Sequence, residues 1–321
     1  MAEEQTLTPQ EVADLLKITK NTVYQLIKRG DLNSYKVGKK IRIDMSDVEA
    51  YKNKDRNIAH VSPGPIQSQI VQGLVKDLGN YQESIKEDAL VICGQDICLD
   101  ILSRYLQLHP QGARSLRSYV GSYAGLYELY NGNAQMATVH LWDGETDSYN
   151  IPYVKYMLPA TSAVIVHLAK RNQGFYVKRG NPKNVTKWQD LAGKDITLIN
   201  REKGSGSRVL LDQHLKRLGL DKRNINGYQR ESISHLAVAS TVSRGGADVG
   251  IGNEKAAQQV KGIDFVFLQE ERYELVFKKE DMEKPPFQAV LSILRSEDFR
   301  LELEGIGGYD LSELGSVTAI T

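Results

Sequence analysis

The sequence predicts an α/β protein in two parts: a small winged helix-turn-helix at its amino end, then a two-lobed domain joined by two crossover strands. Three observations carry this expectation. Helix-start signals and a hairpin pattern crowd the first fifty residues, and from Ala89 onward short apolar runs alternate with helical segments. Two long extended stretches, Ala163 to Val177 and Phe265 to Phe277, follow the two strand–helix cycles.

Composition bounds the function. In 321 residues, 41 Lys and Arg stand against 40 Asp and Glu, for a formal charge of +1, which excludes a whole-chain polybasic or polyacidic partner. With 41% hydrophobic residues and 9 prolines the chain is globular, not disordered. The start Met1-Ala2-Glu3-Glu4 lacks a signal-peptide pattern, and the longest apolar runs, Ala89 to Cys93 and Ala163 to Val166, are too short to span a bilayer. The expectation is a soluble, cytoplasmic chain with no membrane partner. Cys93 and Cys98 have no second cysteine pair or His cluster at zinc spacing, which argues against a disulfide scaffold or a structural zinc.

Thr8-Pro9-Gln10-Glu11 is a capping box with Pro at the first helical position, so a helix is predicted from Pro9 to Leu16. Thr19 can cap a second helix carrying Val23, Leu26 and Ile27, with Gly30 as its stop. Tyr35-Lys36-Val37 and Ile41-Arg42-Ile43 alternate around Gly38-Lys39-Lys40 as a hairpin, and Ser46-Asp47-Val48-Glu49 caps a third helix.

From Lys17 to Arg42 eight basic residues stand against Asp31 alone. On the second helix Lys20, Asn21, Thr22, Tyr24, Gln25 and Lys28 lie near its start or off its apolar face, where side chains reach base edges or phosphates. Asn21 and Gln25 suit adenine, while Lys20 and Lys28 suit phosphates. The competing reading is a solvated helical hairpin whose lysines only keep it soluble. Residues 6 to 53 resemble the excisionase-type helix-turn-helix related to the MerR domain, through Leu7-Thr8-Pro9-Gln10-Glu11-Val12-Ala13, Ile18 to Tyr24, Val37 to Ile43 and Asp47 to Tyr51. The resemblance implies double-stranded DNA as partner, with Lys39, Lys40 and Arg42 of the wing near the phosphate backbone. It serves excisionases and ordinary repressors alike.

Lys54-Asp55-Arg56-Asn57 and the Pro/Gly-containing run His60 to Pro65 have linker chemistry, placing the DNA-binding domain at 1–60 with a boundary near Val61. A linker and connecting helix is expected over 61–85, with Ile66, Ile70, Leu74, Val75 and Leu78 at helical spacing as a dimerisation surface or a face packed on the next domain. The two-lobed domain is expected over 86–321, its second lobe at about 178–264.

In this part strands are expected at Ala89 to Ile92, Tyr119-Val120, Met136 to Val139, Ile196 to Ile199, Ile225 to Tyr228 and Val249 to Ile251, in a largely parallel sheet. Helices are expected near Asp96 to Leu106, Tyr123 to Tyr130, Ser207 to Leu218 and Ser234 to Arg244. Asn200 to Arg208, between a strand and a helix, has the pattern of an anion site. Glycines turn the chain so that backbone N–H groups and the free donors of a helix start face one ligand, with Ser205, Gly206, Ser207, Arg201 and Arg208 contributing. It lacks the P-loop spacing, and Val209 stands where a dinucleotide fingerprint needs its last glycine. The plain alternative is a flexible turn. Gln95, Ser122 and His140 each follow a predicted strand and complete a cleft. Tyr228, Glu231 and His235 either join the site or form a structural hydrogen-bond network.

Residues 66 to 321 resemble the periplasmic-binding-protein-like domain, type 2 and associated with molybdate or molybdopterin. The resemblance rests on Gly121-Ser122, His140-Leu141, Arg171 to Gly174, Asn200 to Arg208, Gly227-Tyr228 with Arg230-Glu231, His235 to Ala239, Ala247 to Gly252 and Gly308 to Asp310. Gln95 and Ser207 depart from the family pattern, where His and Thr are usual. The resemblance implies a hinged ligand-binding domain for a small anionic ligand, an oxyanion such as molybdate or tungstate. The expected function is a one-component transcriptional regulator, a homodimer and not an enzyme. Two alternatives stand beside it: a molybdenum-cofactor accessory protein or enzyme that binds molybdopterin, and an architectural excisionase.

Overall fold

The computed structural model describes residues 6–29, 31–38, 40–53 and 89–321. The chain divides into two units, Met1–Leu78 and Gly79–Thr321. Gly30, Lys39, the linker, the boundary near Val61 and the helix expected over 66–82 lie outside the described residues.

In the first unit Thr8 caps α1 (Pro9–Leu16): its side chain accepts from the Glu11 amide, and the Glu11 carboxylate takes the Thr8 amide at 2.7 Å. Lys17, at φ 55°, ends that helix and turns the chain toward α2 (Lys20–Arg29), whose first turn is tied by the Thr22 amide to the Thr19 hydroxyl at 3.3 Å. Strands β1 (Thr6–Leu7), β2 (Tyr35–Val37) and β3 (Lys40–Asp44) form an antiparallel sheet in the order β1-β3-β2. The third helix, α3 (Met45–Asn53), begins one residue before Ser46. Ser46 therefore lies in the first turn and does not cap it, because β3 runs straight into the helix. Leu7, Val12, Ala13, Val23, Leu26, Leu32, Ile43 and Val48 close one small core, so the apolar periodicity of the sequence is spent on packing two helices and a wing.

The second unit is organised around β9 (Ala163–Lys178) and β13 (Ile263–Lys278), two 16-residue antiparallel strands that pair along almost their whole length. Onto β13 are added β6 (Met136–Val139), β4 (Ala89–Cys93) and β5 (Arg114–Ser118), while β12 (Val249–Asn253), β10 (Leu198–Arg201) and β11 (Glu231–Ser232) are added onto β9; β14 (Val317–Ile320) also pairs with β9. Pairing is parallel within each outer set and antiparallel where those sets meet the crossover strands. The two lobes are thus opposite ends of one sheet. Between them the crossover pair shifts register at Phe267/Gln269 and again at Tyr273/Glu274, so the irregular stretch brackets the lobe junction.

Helices pack on the faces of both lobes. In the first lobe α4 (Cys98–Leu108), α10 (Pro285–Leu294) and α11 (Glu297–Ile306) bury Leu99, Leu102, Leu106, Val290, Leu294 and Phe299 against the sheet, while α5 (Ser122–Tyr130) and α6 (Ile151–Met157) cover another core with Leu126, Leu129 and Val154. In the second lobe α7 (Gly206–Arg217), α8 (His235–Ser243) and the short α9 (Glu254–Gln258) do the same. A hairpin of β7 (Trp142–Asp143) and β8 (Ser148–Tyr149) reaches from the first lobe, and His214 of α7 lies stacked between Trp142 and Trp188 at 4.3 Å from each.

 Several boundaries depart from the sequence expectation. The strand expected at Tyr119-Val120 is instead Arg114–Ser118, an edge strand of two arginines and two serines around a single Leu116. So polar a segment does not register as an apolar run. The strand expected at Ile196 to Ile199 is shifted to Leu198–Arg201, and Ile225 to Tyr228 is a turn, the nearby strand being Glu231–Ser232. Ile225 and Tyr228 are buried, but as packing for α7 and not as a strand.

Candidate functional site

In the first unit Lys20, Asn21, Tyr24, Gln25 and Lys28 are exposed on α2, and Lys40 is exposed on β3. Thr22 is half-buried and its hydroxyl shares a 2.8 Å hydrogen bond with Thr19, so it also holds the start of the helix. Arg42 is half-buried and donates to the Ile41 carbonyl at 3.2 Å. The exposed polar face of α2 and the basic wing are what a duplex reader requires.

In the second unit a cleft opens between the lobes where β9 and β13 cross. It has about 40 Å³ of space and is lined by Gln95, Ser122, His140 and Thr138 from the first lobe, Arg201, Ser205, His235 and Asn253 from the second, and Asp96, Arg171 and Tyr273 at its base. Gly121 and Ser122 start α5, Ser205 caps α7, Ser234 caps α8 and Asn253 caps α9. Several helix starts therefore converge on one small volume.

The base is a chain of buried ion pairs. Arg171 donates through Nη1 to Asp96 Oδ2 at 2.5 Å and through Nε to Glu271 Oε1 at 2.7 Å, with its guanidinium 3.9 Å from the centre of the Tyr273 ring. Glu271 Oε2 lies 2.7 Å from His140 Nδ1, and Asp96 Oδ1 accepts from Tyr309 at 2.5 Å and from the Cys98 amide at 2.9 Å. Burial alone disfavours ionised carboxylates, but Arg171 and His140 bring Glu271 down to about 2, and Arg171, Tyr309 and the Cys98 amide hold Asp96 below its ordinary range. Since Glu271 is ionised and accepts only, His140 Nδ1 carries the proton between them.

The second lobe supplies Arg201, which is 2% exposed. It holds Glu202 through Nε and Nη2, both at 2.7 Å, and Nη2 also reaches Gln95 Oε1 across the cleft at 2.9 Å. A backbone bond from the Tyr123 amide to the Gly204 carbonyl, 3.1 Å, ties the lobes beside it. His235 is held neutral: burial first, then Arg201, His140 and Arg171, push its pKa well down, and its Nδ1 is buried without a hydrogen-bond partner among the described residues.

Six of the residues raised from sequence, Gln95, Ser122, His140, Arg201, Ser205 and His235, line this cleft. The others are placed elsewhere. Gly206 lies against the His140 ring, and Ser207 donates to Gln173 Oε1 at 3.2 Å in the interior. Arg208 donates to the Arg201 carbonyl and to Glu231, and stacks over Tyr228 at 4.2 Å; Tyr228 donates to Asp212 at 2.5 Å. None of Arg208, Tyr228 and Glu231 is among the cleft-lining residues, so here the structural network is the arrangement found. Arg171, Glu271 and Asn253 escaped attention as site residues because they lie within or at the end of strands, and strand periodicity marks them only as polar positions. The one available signal was a charged pair within each long extended stretch.

This geometry defines a two-lobed binding domain, and the chain belongs to the family described as the PBP superfamily domain, whose model matches residues 103–295. Residues 6–56 match the model described as a helix-turn-helix domain. The chain is 39% identical over 317 residues to YvgK of Bacillus subtilis, covering 99% of each chain. Among solved structures it resembles a phosphate-ABC-transporter-type substrate-binding protein of Clostridium perfringens with phosphate bound, at TM-score 0.51 and 15% identity, over 69% of this chain and 98% of that one. It also resembles PhnD1 of Prochlorococcus marinus in complex with methylphosphonate, at TM-score 0.50 and 13% identity, over 71% and 95%. At these identities the structures share a fold. No helix among the described residues is long and apolar enough to cross a membrane.

Proposed function

We propose that this protein is a DNA-binding transcription regulator whose second unit senses a small ligand between its lobes. The observation that carries the reading is the cleft itself: buried polar side chains from both lobes meet over the two strands that join them, in a chain that also carries a helix-turn-helix. Arg201, Ser122, Asn253 and the helix starts supply donors for a ligand with acceptor oxygens, the class to which molybdate and tungstate belong. In this reading binding is the output; Cys93 and Cys98 are both buried, with burial first among the causes that raise their pKa values, which argues against either thiol as a nucleophile. A ligand that binds one relative setting of the lobes better than another shifts their equilibrium, which is all that regulation requires. Selection of an operator from a random duplex pool, followed by gel shifts with molybdate, tungstate, phosphate, sulfate and molybdopterin, tests this. Duplex binding is expected, and an operator affinity that changes with any of them would identify the ligand class; failure to bind any duplex overturns the reading.

A further inference from the structure

The small inner cleft opens into a wider one. Gln95, Asp96, Val120, Gly121, His235 and Asn253 line both, and the outer space is about 1070 Å³ against about 40 Å³ within. Its walls change character: Ile97 and Tyr119 of the first lobe and Ile233 and Leu236 of the second are exposed apolar side chains bordering one opening, with Ile306 at its margin. Exposed apolar groups gathered around a polar chamber are the usual make-up of a site for an organic ligand.

The charges narrow the choice of head group. Two guanidiniums, Arg171 and Arg201, stand against three carboxylates, Asp96, Glu202 and Glu271, each paired with one of them. A dianion in the inner chamber meets no guanidinium free of a carboxylate and must disrupt pairs that are already desolvated. Both Asp96 oxygens are occupied, by Arg171 on one side and by Tyr309 and the Cys98 amide on the other, so the chamber has few acceptors to offer a cation. It does have donors: the Ser122 hydroxyl, the Asn253 amide and Arg201 Nη1, which has no partner among the described residues.

We propose that the ligand is an organic molecule with a hydrogen-bond-accepting head of at most one negative charge in the inner chamber and an apolar, ring-sized body in the outer cleft, not a bare tetrahedral dianion. This rests on the ligand-sensing reading above and specifies what is sensed. The probe is anilinonaphthalene sulfonate, a fluorescent monoanion with an aromatic body, titrated into the full chain. It is expected to saturate at one probe per chain. Ile233→Asp combined with Leu236→Asp should weaken it at least about tenfold, since charge replaces apolar wall, and Ser122→Ala should weaken it through the head. Tyr119→Ser, on the opposite wall, repeats the test independently of whether the double variant folds. Molybdate, tungstate and phosphate at millimolar concentration should not displace the probe. Absence of saturable binding, binding indifferent to all these substitutions, or displacement by micromolar oxyanion would each overturn the proposal. Gel shifts remain a separate readout, so a regulator that responds to an inorganic oxyanion would defeat this inference and leave the regulator reading standing.

Discussion

Arg171 and Glu271 stand opposite each other in register on the two crossover strands, joined by Arg171 Nε and Nη2 on Glu271 Oε1 at 2.7 and 2.5 Å. The pair lies at the lobe junction, between the two register shifts, and both side chains are buried. Removing only the cation strands two carboxylates, Asp96 and Glu271, away from water. Arg171→Met should therefore destabilise the second unit by about 3–5 kcal/mol. Urea unfolding followed by tryptophan fluorescence measures it, since both tryptophans, Trp142 and Trp188, belong to that unit.

The same pair sets a pH dependence. Burial opposes the charge on Glu271, yet Arg171 and His140 outweigh it, and the folded chain holds this group at about 2 against 4.5 for an ordinary glutamate. A pKa lowered by folding gives stability that is fully present above the unfolded value and is lost as pH falls through the folded one. The stability advantage of the parent over Glu271→Gln should thus shrink from about pH 4.5 downward toward about pH 2. An advantage that stays constant over this window would show that the charge on Glu271 contributes nothing.

Much of this architecture was legible because its signals are local. The capping box at Thr8 and Glu11 and the positive-φ Gly38 of the wing turn need no tertiary information. The two crossover strands showed as extended stretches because their central position buries both faces, leaving near-continuous apolar runs such as Ala163 to Ala169. The site was only half legible. Ser205 revealed itself as a helix cap beside glycines, whereas Arg171 and Glu271 are a hundred residues apart and become neighbours only through strand register. Sequence equally could not tell that Arg208, at the end of the glycine-serine motif, turns to Tyr228 and Glu231.

For the first unit, Lys40→Ala should weaken binding to all duplexes alike and reduce the salt dependence by about one phosphate contact. Lys40 is exposed on the wing, where a phosphate is its natural partner. Gln25→Ala, on the exposed face of α2, should instead relax sequence preference, by about 1–3 kcal/mol at one base pair. Fluorescence anisotropy over a salt series and a panel of operator variants separates the two effects.

Ser122 and Ser207 should behave differently. The Ser122 hydroxyl accepts the His140 amide at 3.3 Å at the cleft wall, leaving its proton for a ligand, whereas Ser207 already donates to Gln173 in the interior. Ser122→Ala should cost about 1–3 kcal/mol of ligand affinity, and Ser207→Ala should leave affinity nearly unchanged while costing about 1 kcal/mol of stability. Calorimetry on both variants decides between a ligand role for Ser122 and one for Ser207.

The closeness of the lobes depends on a missing side chain. A Cβ placed on Gly206 would come within 2.4 Å of the His140 ring. That ring has little freedom to yield, because Glu271 holds its Nδ1 at 2.7 Å and Glu271 is itself fixed by Arg171. Gly206→Ala should therefore be accommodated by separating the lobes at this point, although alanine favours the first turn of a helix more than glycine does. The expected outcome is a loss of ligand affinity of about tenfold or more, corresponding to about 1.4 kcal/mol, with duplex binding by the first unit retained. Gly305→Ala is the control: it lies in α11 with open space around the added atom, and should raise stability by about 0.5–1 kcal/mol without changing affinity. Equal affinities for the parent and Gly206→Ala would show that the approach of Gly206 to His140 has no part in ligand binding.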